Sequence, residues 1–196
     1  MNLAPVTLAD EHVRLEPFEV SRHGADLRAM AEGAPDLFRL WSHRGPGDWI
    51  SRWLDTITGR SAAGTMLPFA VLSPDGRDYL GITSYLDPSA VNRSVEIGMT
   101  VYTPHAVGTA VNPATKRLLL AHAFGQGAVR VQFQVDDRNK RSQAAVLKLG
   151  ARQEGVLHNH RILQDGFIRD TAFFSILDSE WPEAKARLDA RLAGFC

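Results

Sequence analysis

Between Met66 and Tyr102 three strand-like segments follow one another with only short turns between them. Met66 to Leu72 and Tyr79 to Leu86 are separated by Ser73-Pro74-Asp75-Gly76, a strong turn signal. Asp87-Pro88-Ser89 breaks the second segment before Ser94 to Tyr102 forms the third. Parallel neighbours need a crossover of a dozen or more residues, so these three segments predict an antiparallel meander. That excludes a repeating strand–helix architecture through this part of the chain.

On either side of the meander helices alternate with strands. Val13 to Phe18 reads as a strand, with Pro17 suggesting a sheet edge. Ser21 is the expected N-cap of a first helix, and Asp48 opens a second that aligns Trp49, Ile50, Trp53, Leu54 and Ile57 in one stripe. The segment between them, Leu37 to Gly47, reads as a loop rich in large side chains, among them Phe38, Trp41, His43 and Arg44. Downstream, a helix from Asn112-Pro113 through Phe124 is followed by a strand, Arg130 to Val135. A helix from Asn139 to Leu149 comes next and closes on Gly150. Two strands, Gly155 to Leu163 and Ile168 to Leu177, flank the hairpin turn Gln164-Asp165-Gly166, and a last helix begins around Ser179. The pattern predicts one α+β domain over residues 1–196.

With 196 residues the chain can bury a core without disulfides or a structural metal. Its 22 basic and 22 acidic residues supply no basic face for nucleic acid. No stretch approaches the roughly 18 apolar residues of a membrane helix, and no secretory signal is visible from Met1 to Asp10. Cys196 is the only cysteine, so no disulfide can form within the chain and a cytoplasmic location is expected.

The most informative stretch is His105-Ala106-Val107-Gly108-Thr109-Ala110-Val111-Asn112-Pro113. It joins a strand to a helix through small residues that let a ligand approach the backbone. The free N–H groups and positive dipole of the helix start suit phosphate oxygens. Asn112 as N-cap and Pro113 at the first helical position are a sound helix start. Taken alone, a structural turn explains the segment as well. It lacks G-x-x-x-x-G-K-[ST] and the third glycine of a dinucleotide fingerprint, and its strand belongs to an antiparallel meander, which argues against ATP or NAD.

Four motifs in order resemble the GNAT acetyltransferases, specifically the Rim-type branch that includes ribosomal-protein N-terminal acetyltransferases. The loop above is similar to that family's Q/R-x-x-G-x-G/A, with His105 at its first position. Glu96-Ile97-Gly98 matches the branch's Glu-Ile-Gly strand. Asn139 to Ser142, with Leu149-Gly150-Ala151 after it, matches Asn-x-x-Ser and its helix end. Asp165-Gly166 with Arg169-Asp170 matches the hairpin turn and Arg-Asp pair. The resemblance runs from Val13 to about Leu192. It implies a mixed, mostly antiparallel sheet of about seven strands with helices on both faces. That sheet would be splayed between a fourth strand, Ser94 to Tyr102, and a fifth, Arg130 to Val135.

The resemblance further implies acetyl transfer from acetyl-CoA to a primary amine, a protein N-terminus or a small molecule, by direct attack in a ternary complex without a metal. Val107, Gly108, Thr109, Ala110, Val111 and Asn112 would hold the diphosphate, and the backbone of Met99, Thr100 and Val101 the pantetheine arm. One N–H there would polarise the thioester carbonyl, a contribution of about 3 kcal/mol when such a donor is lost. Asn139 would bind the arm, cap its helix, or do both. Ser142 would hydrogen-bond the departing sulfur, or serve as an ordinary first-turn serine. Glu96 is the candidate base, with an ion pair or a solvated strand position as the alternative. Trp41 and His160 are candidates for the acceptor pocket, and Trp49 for the core. His158 and His160 alternate on one strand without a third metal ligand. His105 and Pro113 depart from the family pattern and motivate a second expectation, a catalytically silent acyl-CoA-binding or partner-binding domain. The acceptor and the oligomeric state, a homodimer included, stay open.

Overall fold

A computed structural model describes residues 1–195. Cys196, the thiol singled out above, lies outside the described residues. The strands are β1 (Leu8–Ala9), β2 (Arg14–Pro17), β3 (Met66–Leu72), β4 (Tyr79–Ser89), β5 (Ser94–Tyr102), β6 (Arg130–Asp136), β7 (Arg152–Ile162) and β8 (Ile168–Leu177). The α-helices are α1 (Val20–Gly33), α2 (Trp49–Ala62), α3 (Val111–Gly125), α4 (Lys140–Leu147) and α5 (Trp181–Ala193). All eight strands form one sheet in the order β1-β2-β3-β4-β5-β6-β8-β7. Every pairing is antiparallel except β5 with β6, which α3 connects as a crossover. The expected count of about seven is one short, because β1 is only two residues long and too brief to show a period.

Helices cover both faces because the strands bury both. In β3, Met66, Ala70 and Leu72 face α1 and α2, joining Leu27, Trp53 and Ile57 in one cluster. Phe69 and Val71 face the opposite way, into a larger cluster with α3 and α5 through Ala114, Leu119, Leu120 and Leu188. α2 follows its sequence signals closely. Asp48 caps it by accepting the Ser51 N–H at 3.0 Å, and the stripe buries Ile50, Trp53 and Ile57. α1 does not begin as expected: Glu19 stands at its N-cap with no side-chain bond, and Ser21 lies inside the helix. The His23 ring accepts the Glu19 N–H at 3.1 Å, which makes a serine cap unnecessary. β4 also runs through Asp87-Pro88 to Ser89, with Asp87 at φ 47° absorbing the irregularity that reads as a strand break.

Candidate active site

The pairing between β5 and β6 is short. It links Ser94 to Arg130, Val95 to Val131 and Glu96 to Gln132, and stops there. Beyond Glu96 the two strands diverge, leaving one backbone edge of β5 without a strand partner. A cavity of about 540 Å³ occupies this opening. Its walls include Glu96, Met99, Thr100, Val101, Val107, Gly108, Thr109, Asn112, Asn139, Ser142 and Trp41, all singled out from the sequence. Ala110, Val111 and His160 do not line it.

A bulge gives β5 its shape at the cavity. Ile82 pairs with Val101 but Ser84 pairs with Gly98, so Met99 and Thr100 together oppose Thr83. Met99 takes φ 50° to fit the extra residue. The alternation of faces reverses across it: Val95 and Ile97 enter the α3 cluster, whereas Met99 and Val101 pack with the α1–α2 cluster. Gly98 belongs to the same adjustment. A Cβ there would lie 2.8 Å from Leu86 Cδ1 and 2.9 Å from Glu96 Oε1, so the glycine makes room for the carboxyl.

Glu96 is 7% exposed and has no ion-pair partner among the described residues. Burial pushes its carboxyl up to about 7, opposed by the positive charges of Arg161, Arg169 and Arg60 and reinforced by Asp87. A carboxylate of that basicity is half ionised at neutral pH and suited to accepting a proton. The ion-pair alternative therefore gives way to a buried, cavity-facing acid.

At the other end of β5, a 3-10 turn at Pro104–Ala106 leads into the small-residue loop. Gly108 sits at φ 84°, a conformation that disfavours any side chain, and open space surrounds the position where a Cβ would be. The Thr109 hydroxyl donates to Ala106 O at 2.8 Å and accepts the Val111 N–H at 3.2 Å, bracing the turn. α3 starts earlier than the sequence suggests. Ala110 is its N-cap, since Ala110 O accepts the Ala114 N–H at 3.0 Å, and Asn112 is the second helical residue. The Asn112 side chain is instead held by the Tyr102 hydroxyl at 3.1 Å. Pro113 falls at the third helical position, where an N–H has no intrahelical acceptor, so the ladder loses nothing. The His105 ring reaches Thr103 Oγ1 at 3.2 Å and does not line the cavity.

α4 supplies the facing wall. Asn139 is its N-cap and accepts the Ser142 N–H at 3.0 Å, which leaves the Asn139 amide N–H groups free. The Ser142 hydroxyl has no hydrogen bond among the described residues and borders the cavity. Beneath β5 lies a residue that no sequence signal marks. Lys116 of α3 is 6% exposed, and its Nζ donates to Thr100 Oγ1 at 2.6 Å and to Thr83 Oγ1 at 3.2 Å. Burial without a carboxylate lowers its ammonium to about 7. On a sequence it reads as an ordinary exposed helix lysine.

On the α1–α2 face, Trp41 packs edge-on against Trp53 at 4.8 Å between centroids and borders the cavity, while Trp49, half-buried, stacks on Trp53 at the edge of the core. His43, Arg60, Arg161 and Arg169 join the cavity wall there, none of them chosen as site residues from the sequence. Burial lowers the His43 pKa, with Arg60 and Arg161 adding to it, so the ring is neutral near pH 7. His160 packs against Phe173 at 5.4 Å, and the His158 ring pairs with Asp170 at 3.0 Å.

A family model described as an acetyltransferase (GNAT) domain matches residues 12–152. The chain is similar to a candidate acetyltransferase from T. thermophilus, with 37% identity over 98% of this chain and 100% of that one, at a TM-score of 0.85. A GCN5-related N-acetyltransferase from Brucella melitensis is 28% identical over 97% of this chain and 86% of that one, at a TM-score of 0.86. Mycobacterium smegmatis RimJ, solved in complex with CoA-disulfide, is 24% identical over 97% and 94% of the two chains at a TM-score of 0.79, a likeness of fold. No curated protein matches the chain. The splayed sheet, the cleft that follows from it and the matched residues together establish that this chain belongs to the GNAT acetyltransferase family.

Proposed function

We propose that residues 1–196 form one acetyltransferase domain that moves the acetyl group of acetyl-CoA to a primary amine within a ternary complex. The observation that carries this reading is the end of the β5–β6 pairing at Glu96, where an unpaired β5 edge and a buried carboxyl face one cavity. Acetyl-CoA supplies an acyl group activated as a thioester. The residues of the cleft fit it: the cradle at Gly108 is open and its backbone is unencumbered by side chains. Within the stretch from Val107 to Asn112, the N–H groups of Gly108 and Thr109 at the cavity wall would meet the diphosphate, since those of Val107 and Val111 are held by Pro104 O and Thr109 Oγ1. The free edge at Met99, Thr100 and Val101 would pair with the amide arm, and one N–H would face the carbonyl oxygen as charge grows on it.

Glu96 takes the proton of the attacking amine, directly or through water. The amine nitrogen bonds to the acyl carbon as the carbon–sulfur bond breaks, and the electron pair leaves on sulfur. Ser142 donates a hydrogen bond to that sulfur, and Asn139 combines capping with a contact to the arm. An α-amine with a pKa of about 8 is roughly a tenth neutral at pH 7, whereas a lysine amine at about 10.4 is far less so. A weakly basic amine would demand little of a base titrating near 7, and a more basic one would reach the same neutral fraction only at higher pH. The silent acyl-CoA-binding domain stands as the alternative: His105 stands clear of the cavity, but Pro113, which lines it, lacks one of the free N–H groups of the helix start. Thiol release from acetyl-CoA across an amine panel tests the proposal. Calorimetric binding of CoA with no turnover on any amine would overturn it.

A further inference from the structure

Two arginines of the cavity wall, Arg161 and Arg169, make no hydrogen bond to a carboxylate among the described residues. Strand parity fixes which face they occupy. In β8, Ala172, Phe174 and Ile176 enter the α3 cluster, so Arg169, Thr171 and Phe173 point to the opposite face. In β6, Val131, Phe133 and Val135 enter that same cluster, so Gln134 and Asp136 also lie on the opposite face. Arg161 joins them by donating to Gln134 Oε1 at 2.9 Å. Arg60 of α2 lines the cavity from this face too. The cationic wall residues Arg141 and Lys148 come from α4 and its C-terminal end, on the other side of the sheet, where the small-residue loop lies.

The partners of these arginines are unequal. Arg60 is satisfied by Asp87 at 2.8 Å. Arg161 has no carboxylate partner among the described residues. Arg169 is 7% exposed and makes no side-chain hydrogen bond among them. Its Nε is buried and unpartnered, 3.9 Å from Asp136 Oδ2. Asp136 is already committed to Arg138, which it meets at 2.7 and 2.9 Å. A buried guanidinium without hydrogen-bond partners is unfavourable, and planar N–H donors facing a cavity suit a carboxylate held by two parallel bonds. Glu96, which lines the same cavity, is itself held toward neutrality by burial.

We infer that the acceptor is an amine bearing its own carboxylate, of the free amino acid class, whose anionic group is received by Arg169 and Arg161 while its amine faces Glu96. This rests on the acetyl-transfer reading and narrows it. It disfavours polyamines, whose charges would meet like charges on this wall. It also disfavours peptide N-termini without acidic side chains, which offer no carboxylate near the amine.

The test compares matched amines by thiol release, at pH values that give each pair the same neutral fraction: L-alanine with ethylamine, L-phenylalanine with phenethylamine, and both with spermidine and a neutral alanyl peptide. The carboxylated member should exceed its partner at least tenfold in kcat/KM. Arg169→Gln should abolish that preference while leaving the KM for acetyl-CoA unchanged, and Arg161→Gln, at a solvent-facing position, should reduce it if the first variant fails to fold. Equal kcat/KM within the pairs, or spermidine or the peptide as the best acceptor, overturns the inference and leaves acetyl transfer standing. Binding provides an arm independent of turnover. CoA-loaded protein should bind N-acetylalanine at least tenfold tighter than N-acetylalaninamide, and equal affinities overturn the inference even in a preparation that turns over no amine.

Discussion

Glu96→Gln separates two consequences of one buried carboxyl, because the glutamine keeps the shape and removes the ionisation. In the unfolded chain this glutamate titrates near 4.5, and in the fold near 7. The sign follows from proton counting. Between those values the folded state holds a proton that the unfolded state has lost, so stability falls as pH rises and the cost is complete above 7. The shift corresponds to about 3 kcal/mol, and water in the cavity lowers it toward about 2. For a chain of this size that is roughly 4–10 °C in melting temperature. The variant should therefore melt close to wild type at pH 4.5 and several degrees above it at pH 8. Its kcat/KM should drop about a hundredfold or more, and the wild-type rise in activity with a midpoint near pH 7 should vanish. Calorimetric melting at the two pH values, with acetyl-CoA binding as a check on the fold, measures both. A melting difference independent of pH would refute the account of Glu96 as a desolvated acid.

Lys116→Met should show the opposite pH dependence. The wild-type amine titrates near 10.5 unfolded and about 7 folded, so its cost is complete below 7 and is relieved as pH rises toward 10.5. Denaturant unfolding should find the variant more stable by roughly 3–5 kcal/mol at pH 6 and by much less at pH 10, since Thr83 and Thr100 keep their mutual bond at 2.8 Å. Gly98→Ala should cost about 1–3 kcal/mol and most of the activity, because its Cβ would press on Leu86 and the Glu96 carboxyl. A stable variant with wild-type turnover would contradict the role given to that glycine. Gly108→Ala should destabilise by about 1 kcal/mol through its φ of 84°. Calorimetry should show weaker CoA binding in that variant with little change in kcat at saturation.

How far the sequence reaches depends on whether a residue's role is local. Asp48, Asn139 and Gly108 act through the backbone within a few positions of themselves, and their types alone announce a cap or a left-handed turn. The meander is equally local, which is why Ser94–Tyr102 is legible to the residue. Asn112 reads as a cap and is not one, because Ala110 caps α3 with no side-chain signal, and the Tyr102 hydroxyl that holds Asn112 belongs to another element. Ser21 fails for a similar reason, with His23 supplying the bond from inside the helix.

The residues least legible are those whose chemistry is created by desolvation. Lys116 sits on a helix that reads as apolar on one side, but only the approach of Thr83 and Thr100 across the sheet shows that its amine is buried. Arg169 looks like one half of an Arg-Asp pair, yet its neighbour Asp170 serves His158 and the Asn159 N–H instead. The nearest carboxylate to Arg169, that of Asp136, comes from two strand positions away in the pairing register and is claimed by Arg138. The bulge at Met99 compounds the difficulty, since it reverses which side chains of β5 face the α1–α2 cluster. A period of two carried through Gly98 would send Val101 and Ile97 to the same face and assign the wrong wall to the cavity. One extra residue, allowed because Gly98 has no side chain to clash with Glu96, thus decides where the acid, the free backbone edge and the arginines meet.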